Sequence, residues 1–311
     1  MRPGNGGQVA AALILDAVFG EPPEAVHPTV LMGHATSACE RTALRFKNPA
    51  HRRIAGIALA VCLPTFVLVS TRKALSAMPR WLRPAVETVL ISTALSMRGL
   101  ARAAERVERE LDGGLLTAAR TQVGRFVGRD TDGLSETGVS RAAVESVAEN
   151  TSDGVVAPML YGSLFGAPGA LAYKAVNTLD SMVGHPQAPH REIGWAPARL
   201  DDLANLLPSR ITALSAAAVS GRPIDTLRIT YRYGPLTKSP NAGVAEAAFA
   251  GALGIRLGGT NSYNGVPREG PVLGEGRRPS PDDIRGAVIL MRHCCVLLGI
   301  LAFVAGQIRR G

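Results

Sequence analysis

Residues 54–70, "IAGIALAVCLPTFVLVS", run seventeen positions without a charge between Arg53 and Thr71. That is the short end of the roughly 17–25 residues with which an α-helix crosses the hydrocarbon of a bilayer. A chain with such a block either buries it as a core helix or spans a membrane. Residues 155–173, "VVAPMLYGSLFGAPGALAY", form another uncharged block, and residues 287–308, "AVILMRHCCVLLGILAFVAGQI", a third that Arg292 and His293 interrupt. Residues 84–97, 203–219 and 242–259 are weaker, each short or carrying a charge. Singly, any of these fits a buried core helix of a soluble protein. Together, rich in Gly, Ala and Pro and bordered by basic residues, they favour several membrane crossings. No strand-like alternation and no internal repeat stands out, so the expected fold class is all-α, a multi-pass integral membrane helical protein.

The 311 residues carry 34 Lys and Arg against 25 Asp and Glu, a formal charge of +9. Arg41, Arg45, Lys47, Arg52 and Arg53 precede the first block, and Arg72, Lys73, Arg80 and Arg83 follow it, without interleaved aromatic residues. That distribution points to basic loops beside a lipid bilayer rather than to nucleic acid. Both ends of the first block are basic, which leaves the orientation and number of spans open, and oligomeric state is open too. Residues 9–19 are mostly apolar, but Arg2 alone precedes them and Asp16 interrupts them, so they read as mature protein rather than a signal peptide. Cys39, Cys62, Cys294 and Cys295 lack the paired spacing of a zinc site or disulfide framework and read as small core residues.

Between the blocks, residues 98–126, "RGLARAAERVERELDGGLLTAARTQVGRF", set charges against Leu, Ala and Val at three- and four-residue spacing, and Gly113-Gly114 breaks the pattern in two. This predicts a helical hairpin, part of an extramembrane insertion over residues 98–140 in a single domain of residues 1–311. Ser280-Pro281-Asp282-Asp283 supplies an N-cap, a proline at the first helical position and two acids in the first turn. Capping explains those acids without a catalytic role.

Four polar clusters flank the apolar blocks. In "VESVAENTSDGVVAPML" (144–160), Glu145, Glu149 and Asp153 recur every four residues, with Asn150 beside them. In "YKAVNTLDSMVGH" (173–185), Lys174, Asn177 and Asp180 fall on one helical face. "ARLDDLANLLPSR" (198–210) offers Arg199, Asp201, Asp202, Asn205 and Arg210. "TKSPNAGVAEAAFAGALGIRLGGTNSYNG" (237–265) offers Lys238, Ser239, Asn241 and Glu246, then Gly258, Gly259, Asn261 and Tyr263. Like charges four apart repel, and a cation would relieve that repulsion. Oxygen ligands of this kind suit Mg²⁺, commonly held by one or two carboxylates plus substrate phosphate oxygens. A solvated acidic helix end explains the same spacing, and Asn177 and Asn205 also fit as hydrogen-bonding glue between helices. The chain has no P-loop, Rossmann fingerprint or nucleophile elbow.

Beyond their spacing, "HPTVLMG" (27–33), residues 141–185, "ARLDDLANLLPSRITAL" (198–214) and "SPNAGVAEAAFAGALGIRLGG" (239–259) resemble the cobalamin biosynthesis protein family CobD/CbiB over nearly the whole chain. "LDAVFGEPPEAVHP" (15–28) keeps a further motif loosely, with Glu21 in place of an expected Asp. The resemblance implies an adenosylcobinamide-phosphate synthase in the cell membrane. Such an enzyme joins a propionate of adenosylcobyric acid to aminopropanol or its phosphate in an ATP-dependent amide synthesis. On that reading ATP and Mg²⁺ are required and the active site faces the cytoplasm. Glu145, Glu149, Asp153, Asp180 and Lys174 are the expected catalytic residues, with Glu149, Asp153 and Asp180 on the metal. Asn150, Asn177, Arg199, Asp202, Asn205, Lys238 and Asn241 are expected to meet ATP and the other substrates. A non-enzymatic transporter or sensory component with a cation-binding acidic cluster, and a membrane phosphotransferase, are the rival classes.

Overall fold

The computed structural model describes residues 5–185 and 187–308. In chain order come α1 (Asn5–Phe19), α2 (Pro28–Ala43), α3 (Pro49–Ala77), α4 (Arg83–Ser92), α5 (Met97–Asp112), α6 (Leu116–Val123) and α7 (Glu136–Thr151). A π-helical turn (Ser152–Val156) leads into α8 (Ala157–Phe165), α9 (Ala167–Val183), α10 (Trp195–Ala204), α11 (Leu206–Val219), α12 (Pro223–Tyr233) and α13 (Ala242–Leu253). Strands β1 (Leu257–Gly258), β2 (Asn261–Tyr263), β3 (Val266–Arg268) and β4 (Val272–Leu273) precede the final helix α14 (Pro281–Ile308). Two compact units share this chain: one takes residues up to Ser96, Ala157–Asn205 and those from Gly299 onward, and the other takes Met97–Val156 and Leu206–Leu298.

In the first unit, the opening block lies within α3. Asn48 caps the helix by accepting from the Ala50 N–H at 2.9 Å, and Pro49 at the first position costs no hydrogen bond. The 29 residues that follow would run about 43 Å at 1.5 Å per residue, beyond the ~30 Å of a bilayer core. One face docks on α9 and α10, where Gly56 lies so close to the Ile193 backbone that a Cβ would collide with it. Elsewhere on the helix Ile54, Val61 and Phe66 are 62%, 59% and 69% exposed. Large apolar side chains turned outward along a helix of this length make a surface that lipid solvates better than water. α14 is the second described helix long and apolar enough to cross a membrane. In the first unit its end packs on α1, with Gly306 against Gly6, the close approach that small residues allow.

The other apolar blocks are not single spans. Residues 155–173 break at Gly166, whose φ of +73° suits glycine and turns the chain from α8 into an antiparallel α9. Pro168, in the first turn of α9, then starts a new helix. α4, α11 and α13 are 10, 14 and 12 residues long, too short to cross. Cys294 and Cys295 are buried as expected, whereas Cys39 and Cys62 are exposed beside an apolar groove. They are small apolar residues of a surface, not of the core.

The second unit packs α11, α12 and α13 together and sets α7 against both α13 and α5. α5 and α6 form the expected hairpin, with Leu100, Ala104, Val107 and Leu111 turned inward. Arg292, the charge inside the third apolar block, pairs with Glu105 of α5 at 2.7 Å. At the α14 start, Asp283 accepts from the Ser280 N–H at 2.7 Å and its hydroxyl at 3.0 Å, the capping arrangement read from the sequence. The structure is mostly helical but corrects the all-α expectation: β1 pairs with β4 and β2 with β3, both antiparallel. The β2–β3 turn is Asn264-Gly265, with φ of 52° and 75°. That dipeptide is the hairpin signal of a two-residue turn, legible in "NSYNGVPR" and missed because the flanking strands are only three residues long.

Candidate functional site

In the second unit the site grows from α7. Ser135 caps it by accepting from the Gly138 N–H at 3.2 Å, and the unbroken α-register through Thr151 then sets Arg141 and Glu145 one turn apart. Glu145 is 2% exposed and both its oxygens are engaged. The Gly258 N–H donates to Oε1 at 2.6 Å, while Arg129 donates to Oε2. Arg129 also donates to Asn261 Oδ1 at 2.9 Å. Arg141 donates to the carbonyls of Gly258 and Thr260 and to Asn261 Oδ1. Burial disfavours the Arg129 charge, but Glu145 beside it more than restores it, and the guanidinium pKa rises. Asp130 fixes the neighbouring hairpin by accepting from the Asn264 and Gly265 N–H groups at 3.0 and 2.7 Å.

Glu149, one turn on from Glu145, is exposed at the end of α7. Asn150 bonds back to the Ser146 carbonyl at 2.9 Å. Asp153 lies in the π turn and is half-buried, so the four-residue stripe holds through Glu149 and then widens. Such turns recur at functional sites because they redirect side chains without ending a helix. Glu246 of α13, half-buried and in a helix too short to cross a membrane, joins this cluster. Burial, and then Glu145 and Glu149, lift its carboxyl well above the usual range against the pull of Arg129 and Arg141. Asn241 is buried and accepts from Ser209 Oγ at 3.2 Å and Arg210 at 2.8 Å, fixing the start of α13 to α11, while Lys238 is exposed.

In the first unit a polar core forms between α9 and α10. Asp201 accepts from Asn205 Nδ2 at 2.9 Å and lies 3.5 Å from Asn177 Nδ2. Buried Asn205 accepts in turn from the Tyr173 hydroxyl at 2.7 Å, and Tyr161 stacks on Tyr173 with centroids 5.1 Å apart. Burial, with the nearby Asp180 carboxylate, pushes Asp201 up to about 7. Lys174 and Asp180 are half-buried on the same helix as Asn177. Asp202 instead turns to exposed Arg199, 3.3 Å away. Among the described residues no three His, Cys, Asp or Glu side chains gather as a protein-only metal site requires. Mg²⁺ does not need one, since one or two carboxylates, substrate phosphates and water suffice.

A family model described as CobD/Cbib protein matches residues 9–291, a span holding every residue of both clusters. The chain belongs to the CobD/CbiB family. It is 43% identical over 309 residues to "Cobalamin biosynthesis protein CobD" of Geobacter metallireducens, covering 96% of each chain. It is 43% identical over 289 residues to the protein of that name from Citrobacter koseri, covering 90% of this chain and 91% of the relative. For the Mycobacterium tuberculosis protein of that name the identity is 39% over 307 residues, with 97% and 96% covered. No solved structure matches the chain.

Within this CobD/CbiB chain the structure brings Asn177, Asp180 and Asn205 around Asp201, and gathers Glu145, Glu149 and Glu246 near two arginines. Glu149 and Asp153 belong to one unit and Asp180 to the other. Sequence reasoning placed Asp201 and Asn261 in polar clusters without assigning them a role, and singled out neither Arg129 nor Arg141. Asp201 and Asp202 are adjacent, and helical periodicity alone does not say which of two neighbours faces inward. The side-chain partners of Arg129 and Asn261 lie 16 and 120 or more positions away, beyond any local pattern.

Proposed function

We propose that this CobD/CbiB-family chain acts in cobalamin biosynthesis as a multi-pass membrane enzyme. It forms the amide between a propionate carboxyl of adenosylcobyric acid and the amine of aminopropanol or aminopropanol phosphate, at the expense of ATP. The observation that carries this reading is the family match across residues 9–291, with relatives of nearly equal length named for cobalamin biosynthesis. Two span-length apolar helices support the membrane setting. ATP and the corrinoid come from the cytosol, so the clusters face the cytoplasm.

A free carboxylate does not react with an amine until its oxygen becomes a leaving group. In the proposed route the propionate oxygen attacks the γ-phosphorus of ATP and ADP departs. The amine nitrogen then attacks the acyl carbon, phosphate leaves, and the amine loses a proton. Positioning and electrostatics carry most of such catalysis. Glu149 and Asp153 would hold Mg²⁺, which when bound neutralises phosphate oxygens. Within the first unit Asp201, poised near neutrality, is suited to exchange a proton, with Asp180 tuning it and Asn177 and Asn205 orienting it. Lys174, Arg199 and Lys238 supply positive charge for anionic groups. Glu145, saturated by two arginines and a backbone N–H, positions α7.

Detergent-solubilised protein mixed with adenosylcobyric acid, ATP, Mg²⁺ and either amine should yield the amide by mass spectrometry. Omitting ATP should abolish it, and so should Glu149→Gln together with Asp153→Asn. Absence of amide with either amine from folded wild-type protein would sink the proposal.

A further inference from the structure

The second unit contains a cleft of about 640 Å³ that none of the residues assigned above explains. Ser135, Thr137 and Gly138 at the start of α7 line it, together with Gly258-Gly259 and the segment around Arg278. The volume lies within the roughly 300–1,000 Å³ of small-molecule sites. Arg141, Arg256 and Arg278 line it, and no Asp or Glu does. The nearest acids in sequence, Asp132 and Glu136, are exposed and lie outside the lining, while buried Glu145 pairs with Arg129 and with Arg141 at 3.8 Å and accepts the Gly258 N–H.

The three arginines differ in a telling way. Arg141 is 17% exposed and rigidly held by the Gly258 and Thr260 carbonyls and Asn261. Arg256 and Arg278 are exposed and enter no ion pair among the described residues. Some arginines of the second unit are matched to acids, as Arg228 and Arg232 are to Glu275 and Arg277 is to Asp283; others, such as Arg102 and Arg125, are exposed without an ion pair among the described residues, so what distinguishes Arg256 and Arg278 is their place on the cleft wall beside Arg141. Two unmatched guanidinium groups facing a third across a cleft repel one another until an anion enters. The N–H groups of the first turn of α7, a 16-residue helix, add positive potential at the same place. Planar guanidinium forks match phosphate oxygens bidentately.

We propose that this cleft binds the phosphate of a reactant, with Arg141 as its fixed cation and Arg256 and Arg278 as the cations that close on the ligand. The inference rests on the amide-forming reading above for its two candidate sources, the triphosphate of ATP and the phosphate of aminopropanol phosphate.

Calorimetric titration of the full-length protein in detergent tests it, with ATP, aminopropanol phosphate and, as a phosphate-free control, adenosine. Arg256→Gln and Arg278→Gln should each weaken a phosphorylated compound about tenfold or more and leave adenosine unaffected. The matching lysine variants should recover part of the loss, because charge returns without the fork. Both side chains are exposed and unpaired, so circular dichroism should be unchanged. A loss confined to ATP assigns the triphosphate, and one confined to aminopropanol phosphate assigns the amine. Unaltered binding of both, or binding of neither to wild type, overturns the inference. The two readings fail separately. A wild type that binds phosphate through these arginines but makes no amide keeps the cleft and loses the reaction, whereas an active enzyme indifferent to both substitutions loses the cleft.

Discussion

Asp201→Asn is the substitution with the most to say. The wild-type carboxyl titrates at about 7 in the folded protein, against 3.8 for the unperturbed group. A raised carboxyl pKa means the fold prefers the neutral form. Its contribution to stability is complete below pH ~4, declines as the unfolded chain ionises while the folded one does not, and is gone above pH ~7. A displacement of about three pH units at 1.36 kcal/mol each is worth about 4 kcal/mol over that window. Asparagine cannot ionise, so the variant should lose this pH dependence and unfold at a higher temperature than wild type at pH 8, with the gap narrowing towards pH 5. Thermal unfolding in detergent at both pH values, with Asp202→Asn, the half-buried neighbour paired to Arg199, for comparison, measures it. If wild type and Asp201→Asn change equally between pH 5 and 8, burial does not raise this carboxyl and its role in proton exchange falls as well. Amide formation by wild type should rise through pH ~7 and be lost in the variant throughout.

Glu145→Ala should cost about 3–5 kcal/mol, because it leaves the Arg129 and Arg141 charges without their buried partner; a thermal midpoint close to wild type would contradict the anchoring role. Gly56→Leu should destabilise the protein by driving a side chain into the Ile193 backbone, whereas Ala58→Leu, on the exposed face of α3, should be tolerated in detergent. Equal effects of the two would argue against a lipid-facing surface there. Gly265→Val forces a β-branched residue to φ of +75°, a strain of roughly 1–3 kcal/mol. The Asn264 and Gly265 amides bonded to Asp130 should then lose hydrogen-exchange protection; retained protection would mean the turn does not need its glycine.

By itself the sequence determined what local patterning encodes. A charge-free run of seventeen residues encoded a long apolar helix, and paired glycines in an amphipathic stretch divided a hairpin. Ser280 and Asp283 had to cap α14. Long blocks in the family's order sufficed for the resemblance. Tertiary structure decided matters that depend on residues distant in the chain. Residues 155–173 look like one span until Gly166 folds α9 back along α8, a reversal that one residue's backbone freedom allows and packing enforces. The acidic stripe separates into a buried anchor at Glu145, held by Arg129 on a loop and Arg141 one turn upstream, and an exposed Glu149 at the helix end. Asp201 and Asp202 are equivalent in composition, and about 100° of helical rotation gives one a buried polar core and the other an exposed arginine. Charge and spacing belong to the chain; solvation, which sets what a charge can do, belongs to the fold.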